Sequence, residues 1–90
     1  MIHAHMLVKG QVQGVGFRYY VQMKAMQGNI RGWVKNLPDS SVEIAAEGSS
    51  EALQSFVREV KKGSPLSIVE DVVIDEKEET EGYSSFDITY

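Results

Sequence analysis

The chain contains no cysteine. Without thiols it can form no disulfide, supply no thiolate nucleophile and build no metal site on cysteine ligands.

Long apolar runs are also absent. No stretch approaches the roughly 20 apolar residues that a helix needs to cross a bilayer. The first nine residues carry neither the basic nor the apolar segment of a secretory signal peptide. These absences predict a cytoplasmic protein that does not associate with membranes.

Positive charge is scarce. The chain has 9 Lys and Arg against 13 Asp and Glu, a formal net charge of -4, whereas a nucleic-acid partner usually requires a basic patch. A small anionic ligand remains compatible, because one local positive site outweighs the net charge at short range. The length of 90 residues predicts a single domain over residues 1–90. We expect a monomer, since no coiled-coil pattern is present.

Hydrophobic periodicity divides the chain into seven elements. Two stripes at helical spacing predict helices, one formed by Phe17, Tyr20, Val21 and Ala25, the other by Leu53, Phe56, Val57 and Val60. Alternating or β-branched patterns predict strands over residues 3–12, 30–35, 42–47, 66–74 and 86–90. The charged segment 75–81 is interpreted as a mobile loop.

The order of these elements predicts a fold class. The series is β-α-β-β-α-β followed by a short C-terminal strand. Two right-handed crossovers joined by a hairpin give an α+β, ferredoxin-like two-layer sandwich. Both helices would cover one face of an antiparallel sheet. This fold hosts many functions, so it does not by itself identify this one.

One loop has the character of an anion site. Gly14-Val15-Gly16-Phe17-Arg18 lies between a predicted strand and a predicted helix. A helix N-terminus offers unpaired N–H groups, and glycines let successive amides point into one concavity. Arg18 can add a two-pronged contact to phosphate oxygens. The spacing alone is also compatible with a plain turn and a solvated arginine, because it matches neither common nucleotide-binding pattern.

Asn36 ends the second predicted strand just before a turn signal. Asn often starts a turn without any further role. Alternatively, its side-chain amide could hold a water molecule or a ligand.

Two histidines are candidate metal ligands. His3 and His5 lie two residues apart on the first strand and therefore share a face. No nearby Asp, Glu or Cys in the sequence completes a ligand set. They are therefore expected to face solvent, and no metal and no cofactor are expected.

Two segments resemble the signatures of the acylphosphatase family. Residues 8–18, Val-Lys-Gly-Gln-Val-Gln-Gly-Val-Gly-Phe-Arg, are similar to the first signature, and residues 32–36, Gly-Trp-Val-Lys-Asn, to the second. The resemblance extends over nearly the whole chain. It implies the ferredoxin-like fold, an acyl phosphate substrate and inorganic phosphate as a product.

The resemblance also implies roles for individual residues. Arg18 would bind phosphate and Asn36 would orient the attacking water, so these two are the predicted catalytic residues. The predicted phosphate-binding residues are Gln13, Gly14, Val15, Gly16, Phe17 and Arg18. The C-terminal Tyr90 is expected to pack near the site and help to orient Arg18. No covalent intermediate is implied.

The chain departs from the family pattern at two turns. Gly28-Asn29 stands where the family often has Leu-Gly, so we expect some strain at the end of the first helix. Asp39-Ser40 stands where the family often has Asp-Gly, so we expect a different turn type, because Ser lacks the freedom of Gly at positive φ. Neither departure involves Arg18 or Asn36.

Other functions remain open from the sequence. The main alternative is a non-catalytic module of ferredoxin-like fold that binds phosphate or another small anion. A related domain also occurs inside larger carbamoyl-transfer proteins, although the length favours a free-standing enzyme. A structural subunit that has lost activity is a third alternative. The sequence identifies no pocket for an acyl group.

Overall fold

The computed structural model describes all residues from 1 to 90. Its elements are β1 (Ile2–Gln11), α1 (Phe17–Gln27), β2 (Arg31–Asn36), β3 (Val42–Gly48), α2 (Ser50–Lys62), β4 (Ile68–Lys77) and β5 (Phe86–Thr89). The predicted order is confirmed, with boundaries shifted by at most three residues. Neither helix has the length and apolar character needed to cross a membrane.

The sheet has the strand order β4-β1-β3-β2-β5. The first four strands pair antiparallel, as predicted. The fifth differs, because β5 pairs parallel with β2. The reason is topological: the last residues of β4 and the first residues of β2 lie at the same end of the sheet. The connection over residues 78–85 crosses that end, so β5 starts beside the start of β2 and runs in the same direction.

Both helices pack on one face of this sheet. In α1 the buried residues are Phe17, Val21 and Ala25, and in α2 they are Leu53, Phe56 and Val60. The hydrophobic side chains of β1 and β3 that alternate toward the helices, including Met6, Val8 and Ile44, complete the core. The predicted stripes are thus confirmed, and the architecture is the ferredoxin-like sandwich.

Local signals set the ends of α2. The Ser49 hydroxyl accepts a hydrogen bond from the Ala52 backbone N–H at 3.1 Å, which caps the N-terminus. Gly63 ends the helix at φ 80°, a conformation that favours glycine.

A hydrogen bond from Tyr20 joins the two helices. Its hydroxyl donates to the Glu59 carbonyl oxygen at 2.9 Å. Burial and the neighbouring Glu59 carboxylate raise the pKa of Tyr20.

The interpretation of residues 75–81 as a loop is wrong for its first part. Asp75, Glu76 and Lys77 belong to β4 and pair with β1. β4 is an edge strand, and charged side chains are common on such strands because they discourage pairing with another sheet. The charge run therefore marked an exposed strand rather than a loop.

The expectation that both histidines face solvent is wrong for His3, which is buried. His3 Nδ1 donates to the Glu47 carboxylate at 2.7 Å, while the more exposed His5 donates through Nε2 to Glu43 at 2.7 Å. Each glutamate lies on β3, the neighbouring strand. The pairing came from the tertiary structure, since the partners lie 44 and 38 residues apart in sequence.

Glu47 is the most extensively bonded side chain in the molecule. The residue is 2% exposed, and its carboxylate also accepts from the backbone N–H groups of Glu81, Gly82 and Tyr83 at 2.6, 3.0 and 3.4 Å. Burial alone would raise the pKa of Glu47, but these hydrogen bonds and that of His3 outweigh it, so the pKa is lowered. Glu47 therefore pins the β4–β5 connection to the sheet.

Candidate active site

A loop with alternating backbone handedness leads from β1 into α1. Gly14 and Gly16 have φ of 73° and 75°, and Val15 between them does not share this conformation. Such alternation turns successive N–H groups toward one side and forms an anion-binding nest. A side chain at either glycine would meet no other atom within 4 Å, so glycine is required here by the backbone conformation and not by crowding.

The amides of this loop are free of protein partners. None of the backbone N–H groups from residue 13 to residue 17 donates a hydrogen bond to another protein group. The last of them open α1, whose N-terminus carries a partial positive charge. The loop thus presents several aligned donors together with a favourable helix dipole.

Arg18 is the second residue of α1 and is half-buried. It takes part in none of the ion pairs of the structure. Its Nη1 donates to the Thr89 carbonyl oxygen at 3.4 Å, and its guanidinium carbon lies 4.8 Å from the centre of the Tyr90 ring. The positive charge is therefore held in place by the C-terminal residues but is not neutralised by a carboxylate.

Asn36 is the last residue of β2. Its Oδ1 is buried and accepts no hydrogen bond. Buried polar atoms in native proteins nearly always have a partner, so an exception calls for a specific explanation. A ligand or a water molecule held in a binding site is one such explanation.

The Gln13 side chain makes a contact that the sequence did not predict. Its Nε2 donates to the carbonyl oxygens of Leu37 and Ser41, at 2.8 Å each. These two carbonyls flank the turn that follows Asn36. The Gln13 side chain therefore fastens the glycine loop to the segment that carries Asn36. No local signal could have found it, because the partners lie 24 and 28 residues away.

The β2–β3 turn is itself well ordered by hydrogen bonds. The Asp39 carboxylate accepts from the hydroxyl and the backbone N–H of Ser41, and these contacts lower the pKa of Asp39. A different turn type was expected because serine adopts positive φ less readily than glycine. Ser40 nevertheless adopts φ 76°, so the left-handed position of the turn is kept despite the side chain. Asn29 likewise adopts φ 58° after α1.

The loop, Arg18 and Asn36 meet at one cavity of about 140 Å³, whose lining residues are Val12, Gly14, Gly16, Phe17, Arg18, Tyr19 and Asn36. A water molecule occupies about 30 Å³ of liquid, so the cavity has room for a tetrahedral oxyanion with a water molecule beside it. Of the predicted site residues, Gln13 and Val15 do not line the cavity. Larger grooves lie between the helices and on the open face of the sheet. The second contains Lys35, which pairs with no carboxylate, but neither groove includes the free amides of the glycine loop.

No three His, Cys, Asp or Glu side chains are grouped so that they could hold a metal ion. His3 and His5 each pair with a glutamate on β3 instead. The donors around the cavity are N–H groups, which suit an anion rather than a cation.

The sequence and the fold both resemble those of known proteins. The family model for acylphosphatase matches residues 4–88. An acylphosphatase of Bacillus velezensis is 51% identical over 90 residues, covering all of both chains. The crystal structure of the Bacillus subtilis acylphosphatase superposes with a TM-score of 0.98 at 52% identity, again over all of both chains.

A larger protein contains a similar domain. HypF from T. kodakarensis is 36% identical with a TM-score of 0.86, and the match covers 99% of this chain but 12% of that protein. The family match and the relatives of equal length agree with each other. The chain therefore belongs to the acylphosphatase family.

Proposed function

We propose that this protein hydrolyses acyl phosphates to a carboxylate and inorganic phosphate in the cavity beside the start of α1. One observation carries the proposal: groups without protein partners converge on that cavity. They are the free amides of the loop that contains Gly14, Gly16 and Phe17, the unpaired guanidinium of Arg18 and the buried amide oxygen of Asn36. Donors and a positive charge left unsatisfied in one place are complementary to a phosphoryl group and an attacking water.

The phosphoryl group binds to the loop and Arg18. The backbone N–H groups of residues 13 to 17 donate to its oxygens, and Arg18 adds a charge-assisted contact. These fixed donors also stabilise the charge that spreads over the phosphoryl oxygens in the transition state. The contact of Arg18 with the Thr89 carbonyl and the Tyr90 ring keeps the guanidinium oriented before substrate arrives.

Asn36 orients the water. Its Oδ1 accepts a hydrogen bond from the water and aims the water oxygen at phosphorus. A new P–O bond forms to the water oxygen, the bond between phosphorus and the carboxyl oxygen breaks, and the carboxylate leaves with the electron pair. A substrate phosphoryl oxygen takes the proton, because an amide is not a base. Positioning and electrostatics suffice, since the carboxylate is already a good leaving group.

Phosphate release from benzoyl phosphate tests the proposal, measured with chelator and without added metal. We expect rapid release by the wild type and a loss of kcat/KM of roughly 100-fold or more in Arg18→Ala and in Asn36→Ala. Arg31→Ala is the matched control, because Arg31 is exposed at the opposite end of β2. It should keep the wild-type rate.

Other outcomes would contradict the proposal. A folded wild type that releases no phosphate, but is stabilised by added phosphate in a thermal shift assay, would support the anion-binding module instead. Full activity in Arg18→Ala would place the reaction elsewhere. Loss of activity in chelator would contradict the prediction that no metal is used. The cytoplasmic location and the monomeric state stay predictions.

A further inference from the structure

The cavity has one lining side chain that the mechanism leaves without a role. Gly14 and Gly16 have no side chain, and Val12 and Phe17 are buried in the core beneath the cavity. Arg18 and Asn36 are assigned to the phosphoryl group and the water. Tyr19 remains, and it is 71% exposed.

The Tyr19 ring belongs at the rim of the glycine loop. Tyr19 is the third residue of α1, and helical side chains lean toward the N-terminus of their helix, over the preceding turn. That turn is the nest around Gly16. The Tyr19 hydroxyl makes no hydrogen bond to another residue, in contrast to the hydroxyl of Tyr20, which is tied to Glu59. The Tyr19 ring is therefore exposed at the cavity and not held in the core.

The acyl half of the substrate needs a place outside the phosphoryl subsite. In an in-line displacement the leaving carboxylate lies on the side of phosphorus opposite the water. The inner wall of the cavity is occupied by core residues, so the acyl group has to extend toward the opening. An exposed aromatic ring at that opening offers a flat apolar surface to it.

Resting on the proposed function, we infer that Tyr19 is a specificity-determining residue that contacts the acyl group and favours aromatic or other flat, uncharged acyl phosphates over small aliphatic ones. The contact is one-sided, because the cavity has no second exposed aromatic lining residue. Its contribution is accordingly that of a single aromatic contact, and small substrates remain hydrolysable.

The test is the ratio of kcat/KM for benzoyl phosphate to kcat/KM for acetyl phosphate. We expect Tyr19→Ala to lower this ratio about 3- to 10-fold, the loss typical of one aromatic contact, and Tyr19→Phe to keep it within about twofold. Inhibition by inorganic phosphate should be retained in Tyr19→Ala, because the phosphoryl subsite is unchanged. Met23→Ala is the matched control, one helical turn further along α1, exposed and outside the cavity.

The outcomes separate this inference from the proposed function. An unchanged ratio in Tyr19→Ala, or an equal loss on both substrates with weaker phosphate inhibition, would overturn the acyl contact while leaving the hydrolysis intact. A change of ratio in Met23→Ala of the same size would also overturn it. A wild type that hydrolyses neither substrate would refute the proposed function, and the acyl contact with it.

Discussion

The two ends of the sheet treat their buried polar groups in opposite ways. At one end, the Glu47 carboxylate accepts four hydrogen bonds, from His3 and from three successive backbone N–H groups. At the other end, the buried Asn36 Oδ1 accepts none, and the neighbouring loop amides donate to no protein group. A buried charge is tolerated only when it is fully bonded, so the first end is built for stability. The second end keeps its polar groups available for a ligand.

The two ends are connected by β5. Glu47 holds the segment that leads into β5, and the far end of β5 brings Thr89 and Tyr90 to Arg18. Because β5 runs parallel to β2, it starts at the Glu47 end and finishes at the cavity. The end of the sheet around Glu47 thus supports the end around Asn36, where polar groups are left without partners.

The largest effect is expected from Glu47→Ala. Removing the carboxylate takes the acceptor from the buried His3 and from three backbone N–H groups of the β4–β5 connection, so we expect a loss of about 3–5 kcal/mol in the free energy of unfolding. Denaturant titration measures it. Glu43→Ala is the matched control, since Glu43 shares the strand and the face but is more exposed in its pair with His5. It should lose less than about 1 kcal/mol. Equal losses would show that the burial of Glu47 and its backbone hydrogen bonds add nothing to stability.

Gln13→Ala should lower both stability and activity, because Gln13 lies at the Asn36 end of the sheet. It removes the bonds to the Leu37 and Ser41 carbonyls, so we expect about 1–3 kcal/mol less stability. The glycine loop and Asn36 would no longer be fixed relative to each other, and we expect kcat to fall roughly tenfold or more. Inhibition by phosphate should change less than kcat, because the loop amides remain. Unchanged kcat would show that the loop and Asn36 keep their relative position without this contact.

Acid should lower the stability of the protein through Glu47. The pKa of Glu47 is lowered in the folded protein below its ordinary value of 4.5. The folded state therefore binds this proton less readily than the unfolded state, and the resulting stability is present above pH 4.5 and lost as the pH falls through the folded pKa. Unfolding titrations from pH 6 downward (roughly to pH 3) should show this loss in the wild type. Glu47→Gln should lack that part of the pH dependence, and an unchanged profile would assign it to other carboxylates.

Asn36→Leu should not lower stability, in contrast to Glu47→Ala and Gln13→Ala. It replaces an amide whose buried Oδ1 has no donor partner by an apolar group of similar size, so we expect stability to be unchanged or to rise by about 1 kcal/mol. Activity should nevertheless be lost. Thermal unfolding and phosphate release on the same preparation compare the two. A loss of stability above about 1 kcal/mol would mean that the amide has a structural role.

The smallest effect is expected at the turn after Asn36. Ser40 adopts φ 76°, a conformation that glycine adopts at no steric cost. Ser40→Gly should raise the free energy of unfolding by about 0.5–1 kcal/mol, as a small increase of Tm. Activity should be retained, because the Ser40 side chain does not line the cavity. A decrease in Tm would show that the serine is not strained there.

Much of this protein follows from its sequence alone. The helical stripe of α2, the glycines at 14 and 16 and the caps at Ser49 and Gly63 depend on interactions within a few residues. Such short-range interactions can be inferred from the order of residues. They were enough to predict the element order, the two-layer fold and the position of the anion-binding loop. Resemblance to a family added the expected roles of Arg18 and Asn36.

The tertiary structure decided what depends on distant residues. The parallel pairing of β5, the burial of His3 against Glu47 and the extension of β4 through Lys77 arise because strands far apart in sequence meet in one sheet. The same holds for the contact of Arg18 with Thr89, 71 residues away, and for the fastening of the loop by Gln13. Each partner is chosen by strand register and sheet order, which no local pattern encodes. The sequence alone therefore located the anion-binding loop, while packing determined which groups around it are left free to bind.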